Sequence, residues 1–90
     1  MFDTIYKYHV EVYYKDGTKI VSPTMETFSM KKTAEFANKI INTDPAFISK
    51  KVTFGGETDG SSSISVDRKD MERVDIINEG KIGFFERMFG

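Results

Sequence analysis

The sequence predicts an α+β domain with the element order ββαβββ, in which one helix packs on a mixed or antiparallel sheet, followed by a short amphipathic C-terminal helix. Three observations lead there. Apolar and polar residues alternate from Tyr6 to Tyr14, apolar residues recur at helical spacing between Met30 and Ile41, and three shorter strand-like runs follow, separated by polar and glycine-rich stretches. Ninety residues are enough for one core without disulfide or metal staples, burying ~60–65% of the unfolded surface. Residues 1–80 are read as the domain and 81–90 as its tail.

The first strand places Tyr6, Tyr8, Val10, Val12 and Tyr14 on one face, with Lys7, His9, Glu11 and Tyr13 on the other. Asp16-Gly17 suits a two-residue type I′ turn, in which both central residues need positive φ. That turn pairs Val12 with Val21 and Tyr13 with Ile20. Pro23 ends the second strand. Ser29 is the expected N-cap of a helix through Met30, Ala34, Ala37 and Ile41, flanked by Thr33, Phe36 and Ile40. After Asn42, Asp44-Pro45 either stops the chain or caps one short turn through Ala46 and Phe47. Ile48, Lys50, Val52 and Phe54 alternate as a third strand, "GGETDGSSS" is a polar loop, and "SISVD" returns from it. Val74 and Ile76 mark a last strand, which Asn78-Glu79-Gly80 is expected to break. This order is compatible with a β-grasp-like arrangement, a resemblance of element order that carries no function.

Composition removes several function classes. The chain has no cysteine, so it holds no disulfide, thiol nucleophile or cysteine-ligated metal. Lys and Arg number 13 and Asp and Glu 14, scattered rather than in blocks, so no global field draws in nucleic acid or anionic lipid. No apolar run reaches the ~18 residues of a membrane span, and "MFDTIYKYHV" lacks the profile of a secretory signal. The expected compartment is the cytoplasm.

The catalytic and ligand-binding motifs examined are incomplete. Residues 55–62, "GGETDGSS", match the phosphate-cradling pattern except that Ser61 stands where lysine is required; the loop also enters a strand rather than a helix, and Glu57 and Asp59 repel phosphate. The ligand series of a calcium loop is missing. The single histidine, His9, is read as solvated between Lys7 and Glu11. Asp67, Asp70, Glu72 and Asp75, mixed with Arg68, Lys69 and Arg73, read as a wetted edge. No metal site and no cofactor is expected.

Two surfaces remain as candidates. Ser29, Lys31 and Lys32 place a hydroxyl, free N–H groups and two cations at the helix start, where the dipole disfavours cations by roughly 0.3–1 kcal/mol each. They offer an anion site for a nucleic-acid phosphate or an acidic side chain, with Lys50 and Lys51 as an extension, or are simply two exposed lysines. In "KIGFFERMFG", Ile82, Phe84, Phe85, Met88 and Phe89 fall within an arc of about 160° at helical spacing. So short a helix needs a surface to form on. Its own outer sheet face, another protein or a second copy, and a membrane are the three receivers; the offsetting charges of Lys81, Arg87 and Glu86 argue against the last. "KIGFF" also resembles the sliding-clamp-binding peptides of bacterial replication factors, which favour Gln-Leu-x-Leu-Phe. Ile82, Phe84 and Phe85 take the apolar positions and Lys81 replaces the glutamine.

The leading reading is a non-catalytic interaction module that binds a protein partner, or itself, through Ile82, Phe84, Phe85, Met88 and Phe89. The alternative is a nucleic-acid- or other anion-binding accessory domain using Ser29, Lys31 and Lys32. A small enzyme is the third.

Overall fold

Strand β1 (Thr4–Tyr14) is the axis of the fold in the computed structural model, which describes residues 4–58 and 60–83. One of its edges pairs antiparallel with β6 (Met71–Gly83), and the other pairs antiparallel with two short strands in succession, β2 (Lys19–Val21) and β3 (Met25–Thr27). Helix α1 (Met30–Asn42) and a two-stranded antiparallel hairpin, β4 (Lys51–Gly55) with β5 (Ser63–Asp67), complete the α+β architecture.

The register of the first hairpin differs by one residue from the sequence expectation. Val12 lies opposite Ile20 and Tyr13 opposite Lys19. The loop is Lys15-Asp16-Gly17 rather than Asp16-Gly17, closed by the Tyr14 N–H to Thr18 C=O bond of 3.0 Å and the Gly17 N–H to Tyr14 C=O bond of 3.0 Å. Gly17, at φ +91°, takes the left-handed position of a three-residue loop, and Asp16 Oδ1 accepts from the Thr18 N–H at 2.9 Å. A one-residue slip reverses the face of every side chain in β2, so Ile20 joins the Val12 face and Val21 the opposite one.

β2 ends at Val21, just before Pro23, as expected, but the edge resumes beyond the proline in β3, a strand the sequence reading did not include. Ser22, Pro23 and Thr24 lie opposite only His9 and Val10, and pairing resumes at Met25. The Ser22 N–H donates to the Val10 C=O at 2.9 Å, while the Ser22 hydroxyl accepts from the Val10 N–H at 2.8 Å. A side-chain oxygen thus replaces a ladder acceptor at the bulge, and Met25, entirely buried, returns to the core.

Strand β6 differs more from expectation. Asn78-Glu79-Gly80 does not break it: Asn78 pairs with Tyr8 and Gly80 with Lys7, leaving Glu79 as an extra residue in a bulge that the Gly80 N–H to Asn78 Oδ1 bond closes at 2.7 Å. The ladder then continues through Lys81, Ile82 and Gly83, opposite Tyr6, Ile5 and Thr4. Residues 81–83, expected to open a C-terminal helix, are therefore strand, because β1 still offers backbone partners there. β6 also crosses residue 80, where the sequence reading ends the domain. Phe84, Phe85, Met88 and Phe89 lie outside the described residues.

One face of β1 makes the core. Tyr8, Val10, Val12 and Tyr14 are buried with Met25 of β3, Met71 of β6, Ala37 and Ile40 of α1, and Val52, Phe54 and Val66 of the hairpin. The helix presents Thr33, Ala37 and Ile40 inward, a stripe turned slightly from the one expected, so that Ala34 is exposed. Ser29 is its N-cap as expected: its hydroxyl accepts from the Lys32 N–H at 3.2 Å. At Gly55, φ +94°, a Cβ would run into the Met25 sulfur and the Ser62 carbonyl, so the tight approach of β4 to β3 requires glycine.

Candidate functional site

Beyond α1, Asp44 Oδ1 accepts from the Ala46 N–H at 2.9 Å and the Asp44 C=O from the Phe47 N–H at 2.8 Å, with Pro45 supplying a fixed φ. These bonds form one 3-10 turn, Pro45–Phe47, resolving the alternative left open by the sequence in favour of a short turn. The turn holds Phe47 outward, 84% exposed. Leaving a phenylalanine in water forgoes about 1.5–3 kcal/mol of burial.

Behind the turn, Arg68 anchors the chain. It is buried, and its guanidinium donates to the carbonyls of Ile40 (3.1 Å), Ile41 (3.2 Å) and Thr43 (3.1 Å). These carbonyls belong to the helix end and its cap, where an α-helix leaves acceptors without internal partners and where a cation is favoured. Arg68 is therefore a helix clamp, not part of the wetted edge expected from its neighbours. The Tyr14 hydroxyl donates to the Asp67 carbonyl at 2.6 Å, and the Arg68 N–H to the Lys50 carbonyl at 2.8 Å, joining β1, β4 and β5 at the same end. Burial, with a smaller contribution from Asp67, raises the Tyr14 pKa.

Between the first hairpin and the 3-10 turn lies an open groove of about 890 Å³. Ile20, Pro45, Ala46 and Ile48 give it an apolar lining, and Lys50, Lys69 and Asp70 provide charge. None of these three makes an ion pair with a described residue, whereas Asp67, also in the lining, is held by Lys51 at 3.0 Å. The slip at Lys15-Asp16-Gly17 brings Ile20 onto this side. Sequence reasoning missed the site because its parts come from three separate stretches, 14–20, 45–50 and 67–70; Phe47 after Asp44-Pro45 was the signal that could have located it.

The other expected sites are arranged differently. Lys31 and Lys32 are exposed in the first turn of α1, but the Ser29 hydroxyl already accepts from a helix N–H. Ser29 follows β3 at the Tyr6 end of the sheet, while Lys50 lines the groove at the Tyr14 end, so the lysine pairs do not form one patch. In the glycine-rich loop, Ser61 Oγ accepts from the Glu26 N–H at 3.0 Å and Thr58 Oγ1 donates to Glu26 Oε1 at 2.9 Å. The side chains that resemble a phosphate cradle instead fasten the loop to β3. Lys81 and Ile82, half of the clamp-peptide resemblance, are paired in the sheet.

His9 is not simply solvated. Its Nδ1 lies 2.6 Å from Glu79 Oε2 and its Nε2 3.0 Å from Glu11 Oε2. An ionised carboxylate only accepts, so the ring can donate to both partners only in its protonated form, which this arrangement favours. Its pKa is raised, chiefly by the hydrogen bond to Glu11 and then by that to Glu79. Glu11 is lowered by His9 first and Tyr13 next, and Glu79 by Thr24 first and His9 next. The two carboxylates sit on opposite sides of the ring, do not converge on one ion, and leave neither nitrogen free to take a proton. Among the described residues no group of three or more His, Cys, Asp or Glu side chains is placed to hold a metal ion, and no helix is long and apolar enough to cross a membrane.

Compared with protein-family models, curated proteins and solved structures, the chain matches none.

Proposed function

We propose that the chain is a non-catalytic interaction module that docks a protein segment at the groove beside Phe47. The observation that carries the reading is the 84% exposure of Phe47 on a turn fixed by Asp44 and Pro45. A small-molecule pocket draws its aromatic groups inward around the ligand. Here the ring projects while the groove beside it is concave, and a knob next to a hole fits another macromolecular surface. The fixed turn also lowers the ordering cost of binding. Nothing comparable supports the anion-binding or enzymatic readings: the helix start is capped by its own serine, and the one histidine is held at both nitrogens.

A random peptide library displayed on phage, selected against the full chain, tests the proposal. Enriched peptides should share an apolar anchor and lose binding to the Phe47→Asp variant, which should keep its fold because Phe47 is 84% exposed. Failure to enrich any peptide, or equal binding to the variant, would overturn it.

A further inference from the structure

We propose that this chain forms a two-fold dimer by pairing its β6 edge, antiparallel, with β6 of a second copy. The main-chain hydrogen bonds of β1 show which groups of β6 are left for a partner. The Val10 N–H and C=O both bond to Ser22, and the Tyr14 N–H bonds to Thr18, so the even-numbered residues of this part of β1 turn toward β2 and β3. His9, Glu11 and Tyr13 therefore turn toward β6, onto Ile77, Asp75 and Arg73. Val74, Ile76 and Asn78, alternating with these, direct their N–H and C=O groups away from β1, and among the described residues β6 pairs with β1 alone. The other edges are shorter or covered. β2 and β3 are three residues long, β4 and β5 five, and the Ser61 hydroxyl already accepts from the Glu26 N–H on β3. β6 runs for 13 residues, and its segment from Arg73 to Asn78 carries none of the proline, glycine, lysine or bulges that commonly blunt an edge.

Charge and register select one way for a second β6 to fit. Outward groups bond only to outward groups, so the two-fold axis passes through a residue. On Asp75 it sets two carboxylates face to face, and on Ile77 it sets Asp75 against Glu79. On Val74 it calls on Glu72, which the irregularity between Tyr13 and Tyr14 leaves unpaired. On Ile76 these conflicts disappear. Val74 then lies opposite Asn78 of the second copy, Ile76 opposite Ile76, and Asn78 opposite Val74, about six hydrogen bonds at two per pair. Arg73 meets Glu79 of the second copy on the outer face, twice by symmetry, and such an opposite-charge pair is favourable. The two Ile76 side chains face each other beside the core, and the two Ile77 side chains, each 37% exposed in the single chain, lie on the diagonal within reach of one another. The pairing uses none of the residues that line the groove, and being isologous it closes at two chains.

Two measurements on the full chain test this. In sedimentation equilibrium it should pass from one chain mass to two as concentration rises and go no further, and Ile77→Glu, which sets a carboxylate opposite Asp75 of the second copy, should associate about 30-fold more weakly. Disulfide trapping reads the register, since the chain has no cysteine of its own. Residue 75 of one copy and residue 77 of the other form a non-hydrogen-bonded pair with Cα atoms about 4.5 Å apart, whereas 75 with 75, and 77 with 77, lie on diagonals of roughly 7–8 Å, too far to bridge. An equal mixture of Asp75→Cys and Ile77→Cys should therefore give covalent dimers under mild oxidation at about ten times the yield of either variant alone. A full chain that remains monomeric at ~1 mM overturns the proposal, as does growth beyond two chains. So does a mixture that cross-links no better than its components. A dimer lost in Phe47→Asp but intact in Ile77→Glu also overturns it, by moving the interface to the groove. Should Ile77→Glu lower the urea midpoint of unfolding, the trapping result decides alone.

Discussion

Neighbouring residues of β1 serve two surfaces built on different physics. Tyr8, Val10, Val12 and Tyr14 enter an apolar core with α1 and the β4–β5 hairpin, and Val10 is entirely buried. His9, Glu11 and Tyr13, between them, face outward into a charged lattice. The Tyr13 hydroxyl donates to Glu11 at 2.8 Å, the Arg73 guanidinium lies 4.2 Å from the centre of the Tyr13 ring, and Lys19 lies 3.9 Å from Glu11. Glu79, the bulged residue of β6, accepts from His9 and, at 2.9 Å, from Thr24, so one carboxylate spans all three lanes of the sheet. The inner face obtains its stability from water exclusion, which is insensitive to pH and large per side chain. The outer face obtains cohesion from exposed charges, which is small and tunable.

Substitutions on each face sharpen this contrast. The largest effect is expected from Phe54→Ala, which removes a buried ring and leaves a cavity; the urea midpoint should report a loss of about 3–5 kcal/mol at every pH between 5 and 8, roughly the range of greatest native stability. A loss confined to one pH range would break the comparison. Arg68→Met keeps the volume but removes three hydrogen bonds to buried or half-buried carbonyls, and about 2–3 kcal/mol should be lost in the same measurement. A neutral result would mean that water replaces the guanidinium. Smaller still, His9→Gln should flatten the dependence of Tm on pH. In the wild type, the raised His9 contributes fully below its unfolded value of 6.5 and loses that contribution as pH rises through its higher folded value. The lowered Glu11 and Glu79 contribute above 4.5 and lose their contribution as pH falls. The outer face is therefore most cohesive between about pH 4.5 and 6.5, and an unchanged profile in the variant would remove His9 from this account. Val21→Thr, at an outer-face position 52% exposed, should move stability by no more than about 0.5 kcal/mol.

The sequence made local structure legible where a rule acts within a few residues. Ser29 as N-cap, the helix it starts, the alternation of Val52 and Phe54, and the strand in "SISVD" all follow from short-range chemistry. Two errors arose because backbone conformation can absorb residues that read as breaks. The strand Met25–Thr27 went unseen because the edge resumes past Pro23 with a serine hydroxyl bridging the gap, and Asn78-Glu79-Gly80 was absorbed by a bulge, since β1 offered hydrogen-bond partners on both sides. The hairpin register depended on whether Lys15 belonged to the turn, a difference of one residue that composition does not reveal. His9 and Arg68 were misread for a different reason: beside the neighbouring Glu11, His9 meets Glu79, 70 positions away, and Arg68 meets helix-end carbonyls 25 to 28 positions away. The groove assembles the same way, from turns that meet only in the fold.

The Arg68 clamp has a consequence for how the molecule opens. Helix ends normally fray turn by turn, independently of whatever else is folded. Here the last carbonyls of α1 are held by a side chain at the end of β5, whose N–H is in turn bound to the chain entering β4. The final helical turn cannot release without withdrawing the arginine, and the arginine cannot withdraw while the hairpin is closed. Amide protons in the last turn of α1 and in β5 should therefore exchange with solvent water in a single shared event, making helix and hairpin one cooperative unit despite the residues that separate them along the chain.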